Sequence, residues 1–159
     1  MTEDEGVRAL RGDDAAAAGR AAAALWAIWC ASGVPEIDQL LRRGAEAMER
    51  GDLLAAEALF TDIIRRAPDF AEGWNKRATV RYLGGNHAAA IADCRETLAR
   101  KPHHFGALSG QGLCHMALGQ LREAAELFRR TLAVYPHLDA ARHNLTAVMA
   151  EIVKVNGKP

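Results

Sequence analysis

Gly51 to Pro68 reads GDLLAAEALFTDIIRRAP, Gly85 to Pro102 reads GNHAAAIADCRETLARKP, and Gly119 to Pro136 reads GQLREAAELFRRTLAVYP. Successive segments start 34 residues apart. A glycine ends one helix through a left-handed turn, and a proline cannot continue the next, so each period is divided into two helices joined by a tight turn. Each period is one helical hairpin, and the frame runs 37–70, 71–104 and 105–138.

Superposing the three periods aligns the packing residues as well. In the first helix Leu40, Trp74 and Leu108 share a column, and Gly44, Ala78 and Gly112 share a small-residue column. In the second helix Ala56, Ala90 and Ala124 coincide, followed by Phe60, Cys94 and Phe128 and then by Ile64, Leu98 and Leu132. A small residue facing a large one at helical spacing is what two closely packed helices require.

With these columns the chain resembles the tetratricopeptide repeat (TPR) family, whose 34-residue unit carries an early Trp or Leu, a small residue, a Gly turn, an Ala, an aromatic and a late Pro. The run from Phe70 to Thr79, FAEGWNKRAT, and that from His104 to Gly110, HFGALSG, are similar to bacterial members of unassigned activity. The resemblance covers Ile37 to Leu138. It implies an all-α fold, a right-handed α-α superhelix of three TPR hairpins with N- and C-terminal capping helices. Arg43, Arg77 and Gln111 stand where the family favours Leu, and Cys94 replaces an aromatic, which implies some polar content between repeats.

The 159 residues suffice for one domain with a core, and the composition is that of a globular protein: half apolar and a quarter charged. Twenty basic residues balance twenty acidic ones, so no overall field draws in nucleic acid or an anionic membrane. Cys30, Cys94 and Cys114 are odd in number and follow no paired spacing, and they read as reduced, buried small hydrophobes. Ala21 to Ala31 is apolar but too short to span a bilayer, and acidic residues precede it where an export signal needs a basic start. This favours the cytoplasm; a periplasmic location requires an export signal ahead of this numbering.

Residues 1–36 are expected to be a tail and a capping helix. Met1 to Gly12 is charged and reads as a loose tail or frayed helix. Asp13 or Asp14 caps a helix that continues to Ala31, ended by Gly33 and Pro35, with Ala22, Leu25, Trp26 and Trp29 on one face. Running the frame backwards places Ala22 in the Ala56 column and Trp26 in the Phe60 column, so this helix reads as a degenerate half-repeat covering the first hairpin. Residues 139–159 are expected to cap the other end, with Asp139 at the helix start, Leu145, Val148, Ile152 and Val155 as an apolar stripe, and Asn156 and Gly157 as the stop. The total is about eight helices and no strand.

Family geometry implies that the first helices line a concave groove. Leu41, Ala45 and Met48, then Asn75, Thr79 and Tyr82, then Ser109, Leu113 and Met116 face it. Met48, Tyr82 and Met116 form one soft column suited to an amphipathic or extended peptide. The carboxylate clamp of some family members is absent, because Leu41, Ala45, Gly106 and Gly110 occupy its surface. Asn75 and Lys76 remain to hold one polar or acidic group. Arg43 and Arg77 are placed to pair with Asp62, Asp69 or Asp93 between repeats.

No metal site is expected, since His103 and His104, or Cys114 and His115, diverge on adjacent positions. No cofactor motif occurs: Gly106, Gly110 and Gly112 around Ser109 lie inside a helix, where a phosphate loop needs a strand entering a turn. No nucleophile with a base emerges. The sequence therefore points to a non-enzymatic adaptor or scaffold that holds a peptide or helix of another protein in the groove. The alternative is a self-assembling structural protein, joined to further copies through terminal helices or the groove. A third reading is a switch in which the N-terminal helix leaves its cap and occupies the groove.

Overall fold

The computed structural model describes residues 1–157 and leaves the last two residues of the expected C-terminal tail, 158–159, outside the described part. Among the described residues there are nine α-helices and no strand: α1 (Glu3–Leu10), α2 (Ala15–Trp29), α3 (Pro35–Glu49), α4 (Leu53–Arg66), α5 (Ala71–Leu83), α6 (His87–Arg100), α7 (Phe105–Ala117), α8 (Leu121–Val134) and α9 (Asp139–Asn156). No helix among them is long and apolar enough to cross a membrane.

Gly51, Gly85 and Gly119 adopt φ of 76°, 82° and 72°, the left-handed conformation that closes each hairpin turn. Asp52 and Asn86 then cap α4 and α6 by accepting the backbone N–H of Ala55 and Ala89. Within each hairpin the small column admits the large one. A Cβ on Gly44 would lie 2.3 Å from the Phe60 ring and one on Gly112 would lie 2.8 Å from the Phe128 ring, and both rings are fully buried. The pairs α3–α4, α5–α6 and α7–α8 pack closely, and α4–α5 and α6–α7 link them into a right-handed solenoid. First helices also touch one another, α3 with α5 and α5 with α7, more than second helices do. The first helices thus lie on the inside of the curve.

The N-terminal segment departs from the sequence expectation, and the C-terminal one only in detail. Met1 to Gly12, expected as a loose tail or frayed helix, holds a capped helix. Thr2 and Glu5 form a reciprocal capping box that starts α1, and Val7 and Leu10 are buried. Asp14, rather than Asp13, caps α2. The pair α1–α2 does not cover the first repeat. Its apolar residues share one core with Phe105 and Leu108 of α7, Leu127 and Val134 of α8, and Tyr135, whereas the core of α3 and α4 takes in only Cys30 from this region. The hairpin lies across the inter-repeat turns: Glu3 pairs with Lys101, and Gly12 O accepts a hydrogen bond from His137 Nε2 at 2.7 Å. The agreement of Trp26 with the Phe60 column is one of sequence only, since Phe60 packs on its own hairpin and Trp26 on the third.

At the other end, α9 packs on α8 through Val148 and Ile152, with Leu145 partly buried. Val155 is 71% exposed and falls off the stripe, because the helix has run past the end of α8. Asp139 is the first helical residue rather than the cap and pairs with Arg142. Gly157, at φ 64°, ends the helix.

Arg77 makes a two-pronged bond to Asp93, both distances 2.9 Å, and reaches Thr61 of the preceding repeat at 3.3 Å. Arg81 joins the same carboxylate at 3.0 Å and Glu57 of α4 at 2.8 Å. Two guanidiniums around one buried carboxylate tie α5 to α4 and α6. Arg43 has no such role, being exposed without an ion-pair partner among the described residues. Asp62 instead serves Arg65 and Arg66 of its own helix.

Candidate functional site

A mostly apolar cavity of about 470 Å³ opens between α5 and α7. Of the groove residues named from the sequence, Asn75, Lys76, Thr79, Tyr82, Ser109 and Leu113 line it. Leu41, Ala45, Met48 and Met116 do not: Leu41 is buried in the first-repeat core with Met48 against it, and Met116 packs against the core between α8 and α9. Of the column Met48, Tyr82 and Met116, Tyr82 alone is among the residues that line this cavity.

Other lining residues come from outside that set. Cys94 and Cys114 form part of the floor; Leu138 and Ala140 close the side toward α9; Phe105 and Gly106 meet Trp26 at the start of α7. Burial pushes the Cys94 thiol up to about 12, assisted by Cys114 and Asp93, and the Cys114 thiol up to about 11. Both are protonated near neutral pH and present apolar sulfur to the cavity. Burial also raises the Cys30 thiol, with Glu72 adding to it.

Beneath Lys76 lies a buried polar node. Glu72 and His104 are both fully buried, and Glu72 Oε2 is 3.1 Å from His104 Nε2. Asn75 Nδ2 donates to Glu72 Oε1 at 3.0 Å, and Lys76 Nζ stands 3.6 Å from the same oxygen. His104 Nδ1 accepts the Ala107 N–H at 3.1 Å and so caps α7. That nitrogen carries no proton, and the hydrogen on Nε2 points to Glu72 as a neutral donor. The Trp29 ring stacks on His104 at 4.1 Å, and Trp29 Nε1 donates to Glu3 at 3.1 Å. Asn75 is thus committed to the fold, while Lys76 keeps its outer side in the cavity. The sequence carried a signal for this node: His104 occupies the column of Phe70 and Leu138, a polar residue in an otherwise apolar position.

No group of three His, Cys, Asp or Glu side chains among the described residues converges as a metal site would. His104 is occupied by Glu72, its neighbour His103 is exposed, and His115 Nδ1 lies 2.5 Å from Gln120 Oε1.

Family models for the tetratricopeptide repeat match residues 41–105 and 81–149, together more than half the chain. A TPR repeat-containing protein of Rhizobium etli is 33% identical over 108 residues, 68% of this chain and 53% of that protein. The chain thus spans about half that relative, and a smaller share of others, such as 34% of a mouse FK506-binding protein-like protein. The Sgt2 TPR domain of Aspergillus fumigatus superposes with a TM-score of 0.75 at 25% identity, over 79% of this chain and 86% of that one. The first TPR of Spaghetti (RPAP3), solved with the HSP90 peptide SRMEEVD, shares the fold at 22% identity with a TM-score of 0.72, over 74% and 93% of the two chains. Three hairpins closed by glycines at positive φ in a strict 34-residue frame, together with the family models that match over them, establish that the chain belongs to the tetratricopeptide repeat family.

Proposed function

We propose that the protein is a non-catalytic adaptor that holds an apolar peptide or helix of a partner protein in the cavity between α5 and α7. The observation that carries this reading is the cavity itself: Tyr82, Leu113, Phe105 and Trp26 surround it, and Thr79 and Ser109 offer hydroxyls on its inner face. Peptide binding by similar repeats supports the class of ligand, since one structural neighbour was solved with a peptide bound. The chemistry here differs from that acidic peptide. Lys76 is the one cation among the described residues that line the cavity, and Glu72 already offsets it. An apolar segment loses least water and gains most surface in such a site.

The test replaces Thr79 or Ser109 with Arg, which sets a solvated charge in the cavity while leaving the core columns untouched. Capture of partners from an extract of the native organism is expected to fall in both variants, with melting unchanged. Glu126→Arg, on exposed α8, is the control expected to retain capture. Equal capture by all four proteins places the interface elsewhere.

A further inference from the structure

Helix α2 already fills part of the inner face, and its manner of doing so identifies what fits the rest. Trp26 lies on bare backbone at Gly106, where a Cβ would come within 2.6 Å of Trp26 Cη2 and 2.9 Å of Cζ2. The indole stands edge-on to His104 and Phe105, with ring centroids 5.2 and 5.6 Å away, and the Lys76 amine lies 5.8 Å from its centroid. Its remaining surface is half-buried and borders the cavity. One helical turn further along α7, Gly110 again bares its backbone, but here a Cβ would meet only Cys94 Sγ, at 3.8 Å. The open cavity thus continues the line that α2 begins, from an occupied glycine seat to an empty one.

We propose that Trp26 is a wall of the binding site, and that the Gly110 seat beside it takes an aromatic side chain carried on a helix of the partner protein. This rests on the groove reading above and specifies its ligand. The occupant is argued from continuity: the surface leading into the cavity already takes a helix that presents an indole to a glycine. The floor suits such a ring, because Cys94 and Cys114 are protonated thiols that offer polarizable sulfur. Trp26 presents the face or edge that a second aromatic ring packs against at an offset. The helix carrying Trp26 is fixed rather than poised to leave, since Leu10 and Leu25 are fully buried and Trp29 is 3% exposed. The hairpin therefore adds to the site and does not compete for it.

The test uses the full chain labelled with nitrogen-15 and N-acetyltryptophanamide as the probe. Titration is expected to move the Gly110 amide and the Trp26 indole N–H together. The Trp74 indole, which donates to Pro68 O at 2.9 Å outside the cavity, is expected to stay in place. Trp26→Leu is expected to weaken the probe about two- to tenfold, the range of one aromatic pair. Gly110→Leu, which fills the seat, is expected to abolish the response of the backbone amide at position 110 and that of the Trp26 indole. Tighter binding in Trp26→Leu would make the indole a plug and overturn the proposal, as would movement at Gly110 without Trp26, or no movement in the cavity. The wild-type titration decides the location even if one variant fails to fold. Loss of partner capture in Ser109→Arg, together with a silent Trp26, would remove this inference and leave the groove reading standing.

Discussion

Gly44→Ala should destabilise the protein, although the same exchange in most helices stabilises it. Within a helix the exchange gains about 1 kcal/mol of propensity. Here the new Cβ would stand 2.3, 2.7 and 2.9 Å from three atoms of the Phe60 ring, which is fully buried and has no room to withdraw. Overpacking of that kind costs about 1–3 kcal/mol, and this contact belongs at the upper end, leaving a net loss of about 1–2 kcal/mol. The second repeat shows the other solution, with Ala78 in the Gly44 column and Cys94 in the Phe60 column. Phe60→Cys alone should cost about 2–4 kcal/mol, somewhat less than truncation to Ala. In that background Gly44→Ala should be neutral or stabilising, by up to about 1 kcal/mol. Urea unfolding of the four proteins measures the coupling, expected at about 1–3 kcal/mol. Stabilisation by Gly44→Ala with Phe60 present, or equal effects in both backgrounds, would refute the complementary-column account of the hairpins.

Asp93→Ala should lose about 3–5 kcal/mol in the same assay, because it leaves Arg77 and Arg81 facing one another in a largely buried place, while Arg43→Ala in the equivalent column should change stability by less than about 0.5 kcal/mol. Under native conditions at pH 8, iodoacetamide should modify Cys30 well before Cys94 and Cys114. A thiol at about 12 holds roughly three orders of magnitude less thiolate than a free one, and mass spectrometry of the labelled peptides reads the order. Burial raises the Glu3 carboxyl, but hydrogen bonds from Lys101 and Trp29 outweigh it and hold the group below its ordinary 4.5. A lowered carboxylate stabilises the fold above its unfolded value, and that contribution is lost as pH falls through the folded one. Wild type and Glu3→Gln should therefore converge in stability as pH drops below about 4, and a constant gap down to pH 2 would contradict the pairing.

The repeats were legible because each signal in them is local. A glycine at positive φ, a proline two residues past a helix end and a small residue opposite a ring are constraints that a 34-residue frame repeats three times. The N-terminal hairpin was not legible in the same way. Periodicity shows that Ala22, Leu25, Trp26 and Trp29 share an apolar face, but not which surface covers it. The frame match suggested the first repeat, and the structure gives the third. A signal for α1 was nonetheless present: Thr2 and Glu5 stand at capping-box spacing, and Val7 and Leu10 are one turn apart. The site divides similarly. Asn75, Lys76, Thr79, Tyr82, Ser109 and Leu113 are implied by the geometry of the family and line the cavity, whereas Met48 and Met116, implied in the same way, pack against the cores at the two ends of the repeat stack. Trp26 reaches the cavity from more than a full repeat away, through a contact that no spacing encodes.

Crosslinking reports whether partners are held between α5 and α7. A photoreactive side chain would be placed in turn at Thr79, Ser109, Leu54 and Arg130, with the crosslinked partner peptide identified by mass spectrometry. The account predicts one partner segment joined from both Thr79 and Ser109, lost when Gly110→Leu fills the cavity, and no joining from exposed Leu54 or Arg130. Joining from Leu54 or Arg130 that persists in the filled variant would contradict it.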